Sequence, residues 1–233
     1  MRKLLLTSAT LLILLLLSWQ QKLQKQNPYG LPIVSTIADY NLLIQKDPSN
    51  QLVDLEKSIK GLALDIRYAT PNNFTHQSIY PAPKAFARKP VAEALVKIQA
   101  ELKSQGLGMK IFDAYRPYAV TLKFFEVYPD TTFVASPQKG SKHNRGCAID
   151  LTLVDLRSGN ELEMPTAFDD FTEKATHAYM NLTKEALKNR QMLREIMSSY
   201  GFIPYESEWW HYDYKNWRNY QIMDLSFEEL NIN

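Results

Sequence analysis

Hydrophobic positions along the chain fall into short runs whose periods differ. Val91, Ala94, Leu95, Ile98 and Leu102 recur at helical spacing. Pro90 suits a first turn, Gly106 and Gly108 mark the stop, and the pattern predicts an amphipathic helix of about 16 residues. Met109–Ala114 reads as a short buried strand, and Pro117 opens a second helix carrying Val120, Leu122, Phe124, Phe125 and Val127. Cys147–Val154 is apolar and β-prone with little alternation, as in a strand buried on both faces. A third helix is predicted from about Thr183 to Tyr200, with Leu193, Ile196, Met197 and Tyr200 on one side and Gly201 as its stop. Trp209–Tyr214, dense in aromatics, reads as the last strand. Helix and strand signals mix without a regular βαβ rhythm. The expected fold is therefore α+β, a central antiparallel sheet flanked by helices.

The N-terminus differs in kind. Arg2 and Lys3 precede an apolar run, Leu4–Trp19, of 16 residues. That is a little under the ~20 needed to span a bilayer and within reach of the apolar core of a signal peptide. No A-x-A cleavage pattern follows, no cysteine near its end marks a lipoprotein, and Lys22 and Lys25 place positive charge on the far side as well. Residues 1–19 are read as a signal peptide or N-terminal membrane anchor. The protein is expected to be exported to the periplasm, and to stay at the inner membrane where the segment is not removed; membrane contact runs through this segment alone. Residues 20–51 are polar apart from Leu31–Ile33 and are read as a linker. Residues 52–228 contain no repeat and no Gly/Ser-rich break, and are read as one domain.

Composition excludes several classes. With 233 residues, 45% of them hydrophobic and 22% charged, the chain has ordinary globular composition and can bury a core without staples. Its single cysteine, Cys147, closes no intramolecular disulfide. It sits between glycine and alanine, where packing asks for a small apolar group. The 27 basic and 25 acidic residues leave a net charge of +2, too little for the basic field that nucleic-acid binding requires. No glycine-rich phosphate loop, G-x-S-x-G elbow or CxxC pair is present.

The chemistry concentrates in three segments. Ser141–Asp150 places His143 before a glycine turn and Asp150 inside the following strand, so that a turn can bring the two side chains to one point. Glu208-Trp209-Trp210-His211 separates a glutamate and a histidine by three positions; strand alternation would put them on opposite faces, so Glu208 is expected on the loop entering the strand. His143, Asp150 and His211 make two imidazoles and a carboxylate, a set that suits one zinc ion with a position left open, in a cleft on the sheet. Zinc lowers the pKa of water from about 15.7 to roughly 7, and Glu208 is then placed as the general base. Arg116, in Asp113-Ala114-Tyr115-Arg116-Pro117, ends a buried strand with a permanent charge that can stabilise a developing oxyanion, with Asp113 holding it through a bidentate pair. His76 and His177 are read as structural. Glu206 is a competing base whose spacing from His211 matches no pattern.

Four motifs, S-x-H-x-x-G-x-A-x-D at Ser141–Asp150, E-W-W-H at Glu208–His211, D-A-Y-R-P at Asp113–Pro117 and D-I-R-Y-A-T-P-N-N-F at Asp65–Phe74, together resemble the zinc D-alanyl-D-alanine dipeptidases of the vancomycin-resistance (VanX) type. The likeness runs in order from about residue 52 to 215; the wider group of D,D-carboxypeptidases and hedgehog-like zinc domains shares only the His, Asp and Glu-x-x-His skeleton. The resemblance implies His143, Asp150 and His211 as ligands of one zinc ion per chain, Glu208 as base and Arg116 as transition-state stabiliser. It further implies that Ser141 helps to hold the substrate carboxylate and that Asp169, with Asp170 as its neighbour, meets the substrate ammonium. The implied activity is hydrolysis of D-alanyl-D-alanine to two D-alanines in cell-wall peptide metabolism. The alternatives are a D,D- or L,D-carboxypeptidase trimming peptidoglycan stem peptides and a zinc-bearing binding domain without turnover. The 26 residues between Arg116 and His143 lack the long insertion of some relatives, which leaves the depth of the cleft open.

Overall fold

Residues 27–231 are described by the structure, a computed structural model; the expected signal or anchor segment, residues 1–19, lies outside them. The chain divides into Met1–Pro32 and a body from Ile33 onward. In chain order the body contains β1 (Ile33–Val34), α1 (Ile37–Lys46), β2 (Leu52–Asp54), β3 (Ala63–Leu64), β4 (Phe86–Arg88), α2 (Lys89–Ser104), β5 (Leu107–Asp113), α3 (Tyr118–Val127), β6 (Ala148–Asp155), α4 (Lys184–Ser199), β7 (Phe202–Tyr205), β8 (Glu208–Tyr214) and β9 (Ile222–Met223). Apart from α1, each element of seven or more residues falls where hydrophobic periodicity predicts it, within a residue or two.

The main sheet has five strands in the order β3-β5-β6-β8-β7. All neighbours are antiparallel except the edge pair β3–β5, which is parallel. β6 lies at its centre and is buried along seven of its eight residues, which explains why its sequence does not alternate. The apolar face of α2, formed by Val91, Ala94, Leu95, Ile98 and Leu102, is buried with the core residues of β5; Pro90 starts this helix, and Gly106 at φ +75° follows its end. α4 is capped by the Thr183 hydroxyl, which accepts from the Ala186 amide at 3.0 Å, and packs on β7.

Two expectations are corrected. The linker reading of residues 20–51 fails from Ile33 onward. β1 pairs in parallel with β9, so Trp209–Tyr214 is not the last strand, and α1 buries Tyr40, whose hydroxyl accepts from the Leu52 amide at 2.6 Å. The buried guanidinium of Arg88 donates to the carbonyls of Asn50, Arg145 and Gln221, binding three distant stretches of chain through main-chain acceptors. Only Val34 and Tyr40 of residues 33–46 are fully buried, too few to mark a periodic core-facing stripe in the sequence.

The turn that leads into β6 depends on glycine. Gly146 closes the single turn His143–Arg145 at φ +68°, and a β-carbon there would meet Leu52 Cδ2 at 2.6 Å. Beside it, Cys147 is fully buried, and burial pushes its thiol up to about 12 against the pull of Arg88 and Arg145. Gly146→Ala is expected to lower the unfolding free energy by about 2 kcal/mol through the left-handed backbone and the Leu52 contact, read as a shift of the urea midpoint; an unchanged midpoint would contradict this. Because Cys147 is buried and its thiol is raised, native protein should resist iodoacetamide at pH 8 and urea-unfolded protein should react.

Candidate metal centre

Sheet register brings the chemistry together. Asp113 lies opposite Asp150 across β5 and β6, and Asp150 lies opposite His211 across β6 and β8. Directly paired residues point to the same face, so these three side chains form one row across three strands. The Gly146 turn folds His143 back over that row. His143 Nε2 comes to 3.2 Å from His211 Nδ1 and 3.4 Å from Asp150 Oδ2, and His211 Nδ1 is 3.0 Å from Asp150 Oδ1. The three side chains are buried, and one ligand atom from each lies within 4.8 Å of the others.

The far nitrogen of each ring is already engaged. His143 Nδ1 lies 2.7 Å from the Ala114 carbonyl, which only accepts, so Nδ1 carries the proton and Nε2 presents a lone pair. His211 Nε2 lies 2.9 Å from Asp213 Oδ1, which likewise turns Nδ1 inward as a lone pair. Two imidazole lone pairs and a carboxylate therefore converge, and Asp150 Oδ1 is buried without a hydrogen-bond donor. A bound cation satisfies such a set. Burial opposes charge on His211, yet Asp213 and Asp150 together raise it to about 10, so without an ion the ring takes up a proton that a bound cation would displace from Nδ1. Burial likewise acts against ionised Asp150, but the imidazoles hold its carboxyl well below the usual range. Two histidines and a carboxylate fit a divalent metal of the zinc class.

Glu208 is the first residue of β8 and is not on a preceding loop, which corrects that expectation. It sits opposite Tyr205 where the β7–β8 register shifts, three residues before the run of β8 that pairs with β6, so strict alternation does not hold it on the far face. Its Oε2 is 3.8 Å from His211 Nδ1. Burial pushes its carboxyl up to about 7, with Asp150 adding to the rise and His211 and Arg116 opposing it. Glu206, the competing base, instead pairs with Arg194 at the surface at 3.0 Å.

Arg116 is buried and held by Asp113, but through one oxygen: Nε and Nη2 both reach Oδ2, at 3.0 and 2.7 Å, so the pair is not the two-oxygen fork expected. Asp113 Oδ1 accepts from the Tyr80 hydroxyl at 2.8 Å. The guanidinium lies over the Phe124 and Tyr68 rings. Asn144, fully buried, donates to the Arg116 carbonyl at 2.9 Å and accepts from the Ser141 amide at 2.7 Å, tying the arginine to the histidine turn. The Ser141 hydroxyl accepts from the His143 amide at 3.1 Å.

All seven residues singled out from sequence, Arg116, Ser141, His143, Asp150, Asp169, Glu208 and His211, line one cavity of about 460 Å³. Asp169 lines it and Asp170 does not. Asp169 has φ +62°, rare for a residue with a side chain, its Oδ1 accepts from the Tyr68 hydroxyl at 3.1 Å, and its buried Oδ2 has no donor. Burial raises its carboxyl well above the usual range, and Asp150 and Glu208 add to this. The short connection after Arg116 forms one wall, with Phe133 stacked on Phe171 at 4.9 Å. Residues missed in the sequence are Asp213, Tyr68, Tyr80 and Asn144. Asp213 had a signal: in H-x-D on a strand, the carboxylate shares the face of the histidine. His177 does not line the cavity; it packs edge-on to Tyr212, and burial lowers it to about 4.

The protein should bind one divalent ion per chain, Asp150→Asn should lose most of it, and Glu206→Gln should keep it, as measured by equilibrium dialysis with elemental analysis. Equal retention by Asp150→Asn would exclude this site.

Residues 48–227 match the family model described as D-ala-D-ala dipeptidase. The D-alanyl-D-alanine dipeptidase of Escherichia coli is 34% identical over 179 residues, covering 77% of this chain and 92% of that protein. Those of Enterococcus faecium and Enterococcus faecalis are 33% and 32% identical, covering 68% and 70% of this chain and 88% and 91% of those proteins. The chain belongs to the D-ala-D-ala dipeptidase family.

Proposed function

We propose that the protein is a zinc metallopeptidase that hydrolyses D-alanyl-D-alanine to two D-alanines. The observation that carries the reading is the convergence of His143, Asp150 and His211 in a cavity that also presents Glu208 and Arg116. Membership of the dipeptidase family supports it.

His143 Nε2, His211 Nδ1 and the Asp150 carboxylate would hold the zinc. When bound, the ion supplies Lewis acidity that makes water a usable nucleophile near neutral pH. Glu208 takes the proton from the attacking water and passes it to the leaving amine, a role suited to a carboxyl that burial raises to about 7. Arg116, fixed by Asp113 beneath the Tyr68 and Phe124 rings, stabilises negative charge as it develops on the substrate carbonyl oxygen. Asp169 meets the ammonium group: its donorless oxygen is matched by a cation with N–H donors. Ser141, on the turn that carries His143, holds the terminal carboxylate through its hydroxyl. A metal site alone would need neither base nor arginine, which favours turnover over a binding-only role.

The N-terminal run Leu4–Trp19 supports export, so the reaction would take place outside the cytoplasm on dipeptide released from cell-wall material. Full-length protein found only in the cytosolic fraction would contradict that.

Glu208→Gln should keep stoichiometric zinc and lose about 10²-fold or more in kcat on D-alanyl-D-alanine, followed by release of D-alanine. Asp169→Asn should raise KM, while Asp170→Asn leaves it unchanged. Zinc-loaded protein that releases no D-alanine from the dipeptide but trims a stem pentapeptide would replace this reading with a carboxypeptidase.

A further inference from the structure

The second oxygen of Asp213 leads away from the metal ligands to a residue on the histidine turn. Asp213 Oδ1 receives His211 Nε2 at 2.9 Å, and its Oδ2 lies 3.1 Å from Lys142 Nζ. Lys142 immediately precedes His143, and its ammonium lies over the Tyr205 and Trp217 rings, 5.6 and 5.7 Å from their centroids. The Asp213 side chain is 11% exposed and that of Lys142 is 32% exposed, so the pair is partly shielded from water. The contacts close a circuit: His143, its chain neighbour Lys142, Asp213, His211, and back to His143 across the 3.2 Å gap between ring nitrogens. One limb is the turn after residue 140, the other is β8, and no other side-chain ion pair among the described residues joins Lys142 or Asp213 to a third charged group except His211.

We propose that Asp213 and Lys142 are positioning residues for the metal centre, the pair fixing the orientation of the His211 ring and its spacing from His143. The inference rests on the metallopeptidase reading and deepens it. Asp213 fixes which His211 nitrogen faces the ion and raises its strength as a donor, while Lys142 holds the carboxylate in that rotamer from the turn that carries the other ligand. Lys142 acts through Asp213 and not on substrate.

Zinc dissociation constants measured by chelator competition test this without reference to turnover. Asp213→Asn, which keeps the shape and loses the charge, should bind zinc about 10- to 100-fold more weakly. Lys142→Met should weaken binding by about threefold or more, and Lys142→Arg should recover it. The double variant should bind no more weakly than Asp213→Asn alone, because the lysine has no other route to the ion. Losses that multiply in the double variant, or wild-type affinity in Asp213→Asn, would overturn the inference while leaving the metallopeptidase reading intact. Wild-type protein that takes up no zinc would remove both. If Asp213→Asn does not fold, the Lys142→Met and Lys142→Arg pair decides: equal affinities for Met and Arg overturn it.

Discussion

Two imidazole lone pairs and one buried carboxylate, brought within hydrogen-bond distance of one another, make an arrangement that is unfavourable without positive charge. Much of the surrounding structure exists to create and hold that arrangement. The Ala114 carbonyl and the Asp213 carboxylate engage the outer nitrogens and so turn the inner ones toward each other. Neighbouring acids then respond to the same field: Glu208 and Asp169 are raised by burial and by Asp150, and the buried Arg116 guanidinium opposes the rise in both. A divalent ion is the natural completion of this charge pattern.

The fold achieves the convergence with few devices. Antiparallel register places Asp113, Asp150 and His211 in a row, a left-handed glycine lets the histidine turn fold over it, and Asn144 binds that turn to the arginine. Around them an aromatic cluster of Tyr68, Phe74, Phe124 and Phe168 fills the space beside the arginine and limits access of water. The metal position thus lies on the sheet and on the short turn before β6, while the stretch from Thr131 to Ser136 forms a loop wall of the cavity.

Most of this was legible in the sequence, for identifiable reasons. The helices over Val91–Leu102 and Leu193–Met197 carry dense apolar stripes, and β6 carries an unbroken apolar run, so periodicity alone located them. The ligands were legible because histidine, aspartate and glutamate recur at motif spacings. The helix Ile37–Lys46 was not, because only Tyr40 is buried along it and its hydroxyl bonds to the Leu52 main-chain amide, which leaves no trace in side-chain pattern. The place of Glu208 was not legible because strand alternation is a rule for regularly paired residues, and the register shift at Tyr205 releases it. Asp169 and Asp170 were inseparable as neighbours in sequence; the backbone conformation at Asp169 is what turns one into the cavity and leaves the other out. Asp213 and Asn144 act by supporting other side chains, a function that depends on spatial partners and is hidden from linear spacing.

The most direct test of the central claim is X-ray absorption at the zinc edge on the purified protein. Coordination by His143, His211 and Asp150 predicts two imidazole nitrogens at about 2.0–2.1 Å with oxygen completing the shell, and loss of one imidazole in His211→Ala. A sulfur scatterer at about 2.3 Å, which only Cys147 or a methionine provides, or a spectrum unchanged in His211→Ala, would contradict it.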